Sequence, residues 1–313
     1  MKAILNKRVG ALLAAFGATA IYGLNHTIAK GAMPDYVGAF GFIMLRVGGA
    51  AILFWLLSIF TPKEKIQRKD WKILLAAALL GMVVNMLSFF KGLSLSTPIN
   101  SAVLVTITPI IVVLLSAIFL KEKIGVKKIT GIGLGFMGAL GLILFGHEIR
   151  QDAPNIFVGN LLFILNATSY GAYLIVVKSL INKYHPITLM KWLFGMAFII
   201  NFPITIVEFN QIQWETMPIE IWGAIGFVIL GTTFLTYLFN AFALTTLKAS
   251  SVGAFVYLQP LIGIIYAVLS GKDQLSPIKM MGTAAVLVGV YLATSKQSSK
   301  SAVKAQKEVA TKN

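Results

Sequence analysis

The tetrapeptide ThrProIleIle at residues 108–111 returns 151 residues later as GlnProLeuIle at residues 259–262, and each copy lies in an apolar stretch. At the same offset, and without a gap, Glu122 meets Asp273 as a conservative acidic pair. The identical pairs in this register are Leu93 with Leu244, Lys121 with Lys272, Lys128 with Lys279, Gly131 with Gly282 and Gly138 with Gly289. A constant register over both prolines and both loops predicts an internal duplication.

A related offset holds nearer the start of the chain. TyrGly at 22–23 recurs at 170–171, and Lys30 recurs as Lys178, both 148 residues later.

The composition is that of a membrane protein. Of 313 residues, 57% are hydrophobic and 12% charged, and the mean hydropathy is +0.82, whereas a soluble domain carries roughly 25% charge. This excludes a soluble enzyme, a disordered chain and a nucleic-acid-binding domain. About 20 apolar residues cross a bilayer as a helix, and ten such stretches are predicted: 9–29, 36–60, 72–93, 98–120, 127–146, 158–178, 187–207, 218–242, 249–270 and 277–295.

The basic residues predict the orientation. With ten spans and a cytoplasmic N-terminus, 21 of the 27 Lys and Arg residues fall on the cytoplasmic side. Arg46 lies inside the second span, and the opposite side keeps Lys30, Lys91, Arg150, Lys272 and Lys279. This bias agrees with the positive-inside rule, so the net charge of +16 indicates orientation and not nucleic-acid binding. The basic segment 296–313 is predicted to be a disordered cytoplasmic tail near anionic lipid.

Cofactor and metal chemistry have little support. The chain has no cysteine, and its three histidines, His26, His147 and His185, are far apart in sequence. A zinc site is therefore not expected, and no cofactor is predicted. An intramembrane enzyme would need a catalytic set at depth, but all eleven Asp and Glu residues lie in loops, in the tail or at span ends, as Glu220 does.

The duplication predicts two domains, at 9–146 and 158–295, each with five spans. Because five is odd, the second copy enters the membrane from the opposite side. Inverted repeats of this kind are typical of secondary transporters, which hold substrate near the midplane where the repeats meet. Pro109 and Pro260 are predicted to break helices at corresponding points of the two copies.

Several motifs lie within about residues 9–295: TyrGlyLeuAsn at 22–25, Arg46, PheLysGlyLeu at 90–93, SerThrProIleAsnSerAlaVal at 96–103, Pro109, LeuLysGluLys at 120–123 and the segment from Gly131 to Gly138. In these motifs the chain resembles the EamA-type transporters of the drug/metabolite transporter superfamily. The resemblance implies an all-α integral membrane protein of ten helices in two inverted five-helix repeats. The family moves amino acids, other metabolites, drugs and nucleotide sugars, and many members are exporters. The second copy departs from the first where Phe194 replaces Arg46 and GlyLysAsp at 271–273 replaces LeuLysGlu, so the copies are not expected to contribute equally to a site.

Arg46 is the most informative candidate for substrate binding. It lies roughly 15 Å deep by helical rise, where an arginine costs at least about 2.5–3.5 kcal/mol unless it is paired or hydrated. It is interpreted as an anchor for a carboxylate or phosphate, with a structural role as the alternative. Aromatic, amide and hydroxyl side chains complete the predicted cavity: Tyr22, Asn25, His26, Asn85, Ser88, Phe89, Asn166, Tyr170, Tyr173, Tyr237, Asn240, Tyr257 and Gln259.

The predicted function is an exporter or facilitator of amino acids or similar small metabolites across a bacterial inner membrane, by alternating access. Nucleotide sugars or drug-like compounds are the alternative substrates, and a channel or a structural membrane protein is the alternative of another class. The small face of Gly131, Gly135 and Gly138 predicts helix association or a dimer contact. The expected partners are a small-molecule substrate and the lipid bilayer, with the chain a monomer or homodimer.

Overall fold

The computed structural model describes residues 2–119, 125–145, 151–181, 183–244, 246–247, 255 and 257–294. The side chains of residues 2–6, 237, 241 and 244 lie outside this description. The predicted tail at 296–313, the loop motif at 120–123, the start of the ninth span and the side chain of Tyr237 therefore fall outside the described part.

Ten helices form the described fold, and none of the described residues is in a strand. They are α1 (Lys2–Gly31), α2 (Ala39–Leu57), α3 (Arg68–Leu95), α4 (Pro98–Phe119), α5 (Val126–Phe145), α6 (Ile156–Ile181), α7 (Pro186–Asn210), α8 (Ile219–Asn240), α9 (Leu258–Leu269) and α10 (Pro277–Thr294). Within the described residues, nine are long and apolar enough to span a membrane, and α9 is a shorter apolar helix. The predicted ten-helix, all-α membrane fold is confirmed.

The repeat-related helices α5 and α10 run antiparallel to each other, as an inverted duplication requires. A methyl group built on Gly131 of α5 would lie 2.7 Å from the carbonyl oxygen of Gly289 of α10, and one on Gly138 would lie 2.8 Å from the carbonyl oxygen of Gly282. The small face of α5 therefore packs on α10 of the same chain. The dimer contact offered as its alternative use is wrong, because this face is already covered within the chain.

The two halves interleave and do not form separate bundles. Helix α2 packs on α7, α3 on α6, and α1 on α8 and α9, and each of these contacts joins one half to the other. At one such contact, the carboxylate of Glu208 near the end of α7 accepts from the backbone N–H groups of Phe40 (2.6 Å) and Gly41 (3.1 Å). This satisfies donors at the N-terminus of α2 that have no partner within the helix.

Helix α4 is interrupted just before Pro109, where a helix break was predicted. Its first segment ends at Val105, turns follow at Thr106 and Ile107, and the second segment begins at Thr108 with Pro109 next. Proline suits the first turn of a helix because its missing N–H would have no partner there. Pro260 occupies the corresponding early position in α9 and is buried.

Helices α3 and α8 each contain a π-helical stretch, at Leu79–Val84 and Phe227–Leu235. Their first residues are 148 apart and their last residues 151 apart. The repeat offset therefore changes from 148 to 151 inside this stretch. The reason is that the π-helical stretch of the second half is three residues longer than that of the first. Such stretches are rare and often lie at functional sites.

Candidate functional site

A cavity of about 870 Å³ lies among the helices and receives residues from both halves. This volume lies within the usual range for small-molecule sites. Most of the predicted binding residues line it: Tyr22, Asn25, His26, Arg46, Asn85, Phe89, Asn166, Tyr170, Tyr173, Asn240 and Gln259, together with Pro109.

Two of the predicted binding residues lie outside the lining. Ser88 is buried outside the lining, whereas Asn85 and Phe89, one turn apart on α3, both line the cavity. Tyr257 hydrogen-bonds to the hydroxyl of Thr294, which itself lines the cavity.

Arg46 is placed on the wall by α2. Its guanidinium carbon lies 5.8 Å from the ring centre of Phe90, and its Nε is buried without a hydrogen-bond partner among the described residues. Tyr22 and Tyr170 line the same cavity as Arg46. Its repeat counterpart Phe194 also lines this cavity, so the two halves contribute a cation and an aromatic ring from equivalent positions.

Stacked aromatic pairs form much of the apolar wall. Tyr170 stacks on Tyr173 with ring centres 5.6 Å apart, and Phe54 stacks on Phe194 at 5.5 Å. Such rings offer both apolar area and a negative face that attracts cations.

Polar groups of α1 lie at the deep end of the cavity. The Nδ1 of His26 lies 2.7 Å from the Ser101 hydroxyl, and its ring meets Phe89 edge-on at 5.6 Å. The Oδ1 of neighbouring Asn25 is buried without a partner among the described residues. His26 is thus already bonded in this structure, whereas Asn25 retains an acceptor.

A cluster of threonines on α8 was not predicted from the sequence. Thr232, Thr233 and Thr236 all line the cavity. Thr232 and Thr236 bond back to carbonyls of their own helix, but the Thr233 hydroxyl is buried without a described partner. The sequence does contain a signal for this cluster, since three of five consecutive residues in an apolar span carry hydroxyl groups.

The cavity reaches one end of the helix bundle. Its lining includes Lys128 in the first turn of α5, Met190 in the first turns of α7 and Thr294 at the end of α10. At the opposite end the lining stops at His26 and Asn25, short of the end of α1 at Gly31.

Buried polar contacts between the halves seal this second end. Asp273, before α10, accepts from the Nζ of Lys279 at 2.8 Å and from the backbone N–H of Ile99 at 3.0 Å. Lys30 of α1 donates to the carbonyls of Leu93 and Asp152. Lys30, Asp273 and Lys279 are hereafter the closed-end cluster.

The buried side-chain amide of Asn160 makes further hydrogen bonds at the same end of the helix bundle. The Oδ1 of Asn160 on α6 accepts from the hydroxyl of Ser96 at 2.7 Å and from the amide of Asn100 at 3.2 Å. Its own amide donates to the carbonyl of Leu142 on α5. All of these partners belong to the first half, so this single side chain bonds across the interface between the halves.

The described lining contains no carboxylate, and no group of three or more His, Asp or Glu among the described residues could hold a metal ion. The cavity thus offers the cations Arg46 and Lys128, together with amides, hydroxyls and aromatic rings. These groups can bind an organic anion or zwitterion.

Comparison with known proteins agrees with this architecture. The model of the EamA-like transporter family matches the chain twice, at residues 9–144 and 157–295. The chain belongs to this family. The predicted resemblance is thereby confirmed, and the protein is a membrane transporter of EamA type.

Individual relatives cover most of the chain at low identity. The uncharacterized transporter YetK of Bacillus subtilis (strain 168) is 22% identical over 307 residues, 97% of this chain and 93% of its own length. The uncharacterized transporter YyaM of the same organism is 24% identical over 80% of this chain and 82% of its own. A solved crystal structure aligns with a TM-score of 0.58 and 16% identity over 91% of this chain and 95% of the other, which is likeness of fold alone.

Proposed function

We propose that this EamA-family protein is a secondary carrier that exports, or facilitates the movement of, amino acids or similar small metabolites across a bacterial cytoplasmic membrane. One observation carries the proposal: Arg46, deep within a cavity, has a buried Nε without a hydrogen-bond partner among the described residues. An arginine at such depth is costly unless it is compensated, and a substrate carboxylate would compensate it through charge-assisted hydrogen bonds.

The rest of the lining suits a zwitterion better than a simple anion. An ammonium group needs acceptors, and Asn25 and Thr233 offer oxygen atoms without described partners. The stacked rings of Tyr170 and Tyr173 would hold an apolar or aromatic side chain. This distribution supports amino acids as the first substrate class to test.

Other substrate classes fit less well. A nucleotide sugar carries phosphate charge and calls for several basic residues, but the described lining has only Arg46 and Lys128. A hydrophobic drug cation calls for a buried carboxylate, which the described lining lacks. A channel would need a continuous path, whereas this cavity is sealed at one end by the closed-end cluster.

The sealed and open ends support alternating access. Because the halves interleave, we propose that the ends open and close by exchange of helix contacts, and not by rocking of two separate bundles. The positive-inside bias assigns the open end, with Lys128, and both termini to the cytoplasm. The carrier is proposed to act as a monomer or homodimer.

Counterflow of labelled amino acids into liposomes that hold the purified full chain tests the proposal. We expect saturable exchange for at least one amino acid, reduced about tenfold or more in Arg46→Ala because a charge-assisted contact is lost. Arg68→Ala is the matched control, since Arg68 is exposed at the start of α3. Exchange that is equal in Arg46→Ala and wild type would remove the anchoring role. Flux that never saturates would indicate a pore.

A further inference from the structure

Two pairs of repeat-related lysines have opposite environments in this structure. Lys30 is 4% exposed, whereas its counterpart Lys178, 148 residues later, is exposed. Lys279 is fully buried, whereas its counterpart Lys128, 151 residues earlier, is half-buried and lines the cavity. Residues at equivalent positions of a duplication therefore differ according to which end of the protein they occupy.

The buried member of each pair belongs to the sealed end. Lys279 pairs with Asp273, and both side chains are fully buried. The second oxygen of Asp273 bonds to the backbone of Ile99 at the start of α4, so the ion pair also holds a helix of the other half. Lys30 bonds to the carbonyls of Leu93 and Ser94 in the last turn of α3, and to that of Asp152 in the connection between the halves just before α6.

The more exposed member of each pair belongs to the open end. Lys178 lies in the last turn of α6 and Lys128 in the first turn of α5. Because the repeats are inverted, Lys178 occupies at the open end the position that Lys30 occupies at the sealed end. Lys128 and Lys279 are equivalent in the same way.

From this asymmetry we propose that the two lysine pairs exchange environments during transport. When the sealed end opens, Lys30 and Lys279 become exposed. At the same time Lys128 and Lys178 become buried and close the other end. The four lysines are thus positioning residues for the two ends of the cavity. This inference rests on the proposed alternating access but not on any particular substrate.

A buried ion pair is suited to this role. The attraction of Lys279 for Asp273 in a dry site offsets a large desolvation cost, so the pair stabilises little overall. Loss of one partner is nevertheless strongly unfavourable, because it leaves a buried charge uncompensated. Asp273→Asn is therefore expected to weaken the sealed conformation and to favour the opposite one.

Labelling of the natural lysines tests the exchange without a substrate. The full chain in detergent is treated with an amine-reactive reagent, and modification is read by peptide mass spectrometry. In wild type, we expect Lys128 and Lys178 to react and Lys30 and Lys279 to be protected. In Asp273→Asn, we expect the rate at Lys30 to rise about tenfold, as a shift of roughly 1.4 kcal/mol would produce, and the rate at Lys178 to fall.

The reciprocal fall at Lys178 is the decisive result. Local loosening around Asp273 would raise labelling at Lys30 and leave Lys178 unchanged, and that result would overturn the proposal. Asp70→Asn is the matched control, because Asp70 pairs with Lys183 between the halves at the open end but is not related by the repeat to the closed-end cluster. It should not change the rates at Lys30 and Lys178.

A second variant serves if Asp273→Asn does not fold. Lys128→Met alters a half-buried residue at the open end and should shift the balance the other way, with slower labelling of Lys30 and Lys279 and faster labelling of Lys178. Unchanged labelling in Lys128→Met would contradict the exchange. Reciprocal labelling without any amino-acid counterflow would instead overturn the proposed substrate class and leave the exchange supported.

Discussion

Asn85 and Asn166 exchange hydrogen bonds across the two halves of the chain: the side-chain amide of each donates to the backbone carbonyl of the other, at 3.2 and 2.8 Å. Asn85 follows directly after the π-helical stretch of α3, and Asn166 lies on α6. One turn later on α6, the Ser169 hydroxyl donates to the carbonyl of Leu80 within that stretch. A carbonyl of the π-helical stretch thus accepts a hydrogen bond from α6. Both asparagines also line the cavity.

This exchange predicts additive losses for the two asparagines, because each side chain bonds to the backbone of the other residue and not to its side chain. Asn85→Leu and Asn166→Leu should each cost about 0.6–1.7 kcal/mol, as measured for interhelical hydrogen bonds in membranes. The double variant should lose about the sum. Unfolding of all four proteins in detergent measures these losses. A double variant that loses much less than the sum would contradict two independent bonds to the backbone.

The glycine face of α5 predicts opposite effects for neighbouring substitutions. Gly131→Ala places a methyl group 2.7 Å from the carbonyl oxygen of Gly289, so α5 and α10 must separate and the melting temperature should fall. A methyl group on Gly133 would have no neighbouring atom within 4 Å, and Gly133→Ala should gain about 0.5–1 kcal/mol from lower backbone entropy in the unfolded chain. Thermal unfolding compares the melting temperatures of both variants with that of the wild type. Equal melting temperatures would contradict the observed packing.

Thr233 is predicted to contribute to substrate binding and to have no effect on the stability of the protein. Thr233→Val removes a hydroxyl without a described partner, so the melting temperature should be unchanged while the apparent KM for counterflow rises about threefold to tenfold, as loss of one hydrogen bond implies. Thr168→Val is the control, because the Thr168 hydroxyl bonds to its own helix at Ile164 and lies outside the cavity lining. A KM that rises equally in both variants would assign Thr233 a general structural role.

Glu208 is predicted to stabilise the start of α2. Glu208→Gln removes the charge that accepts from Phe40 and Gly41, and should cost about 0.5–2 kcal/mol of stability through the weakened helix N-terminus. Glu215→Gln, at an exposed position just beyond α7, is the control and should have little effect. Denaturation in detergent compares them. A loss of equal size in both variants would point to a nonspecific effect of charge.

Much of the fold followed from the sequence because its signals are local or periodic. Ten apolar stretches of spanning length specify ten helices, since backbone polar groups within a bilayer must be satisfied inside each segment. The matched residues at offsets of 148 and 151 indicated the duplication, and an odd number of spans per copy required inversion. Arg46 was identified for the same reason, because its place in the middle of a span already indicates that its charge needs compensation.

Contacts between distant helices were decided only by the tertiary structure. Spacing alone placed Ser88 beside Asn85, but packing of α3 left Ser88 outside the cavity lining and put Phe89 within it. The face of Gly131, Gly135 and Gly138 indicated close packing without identifying the partner, which is α10. The opposite environments of Lys30 and Lys178 lie beyond any prediction from sequence, since equal residues at equivalent positions became unequal only when the chain closed one end of the cavity and left the other open.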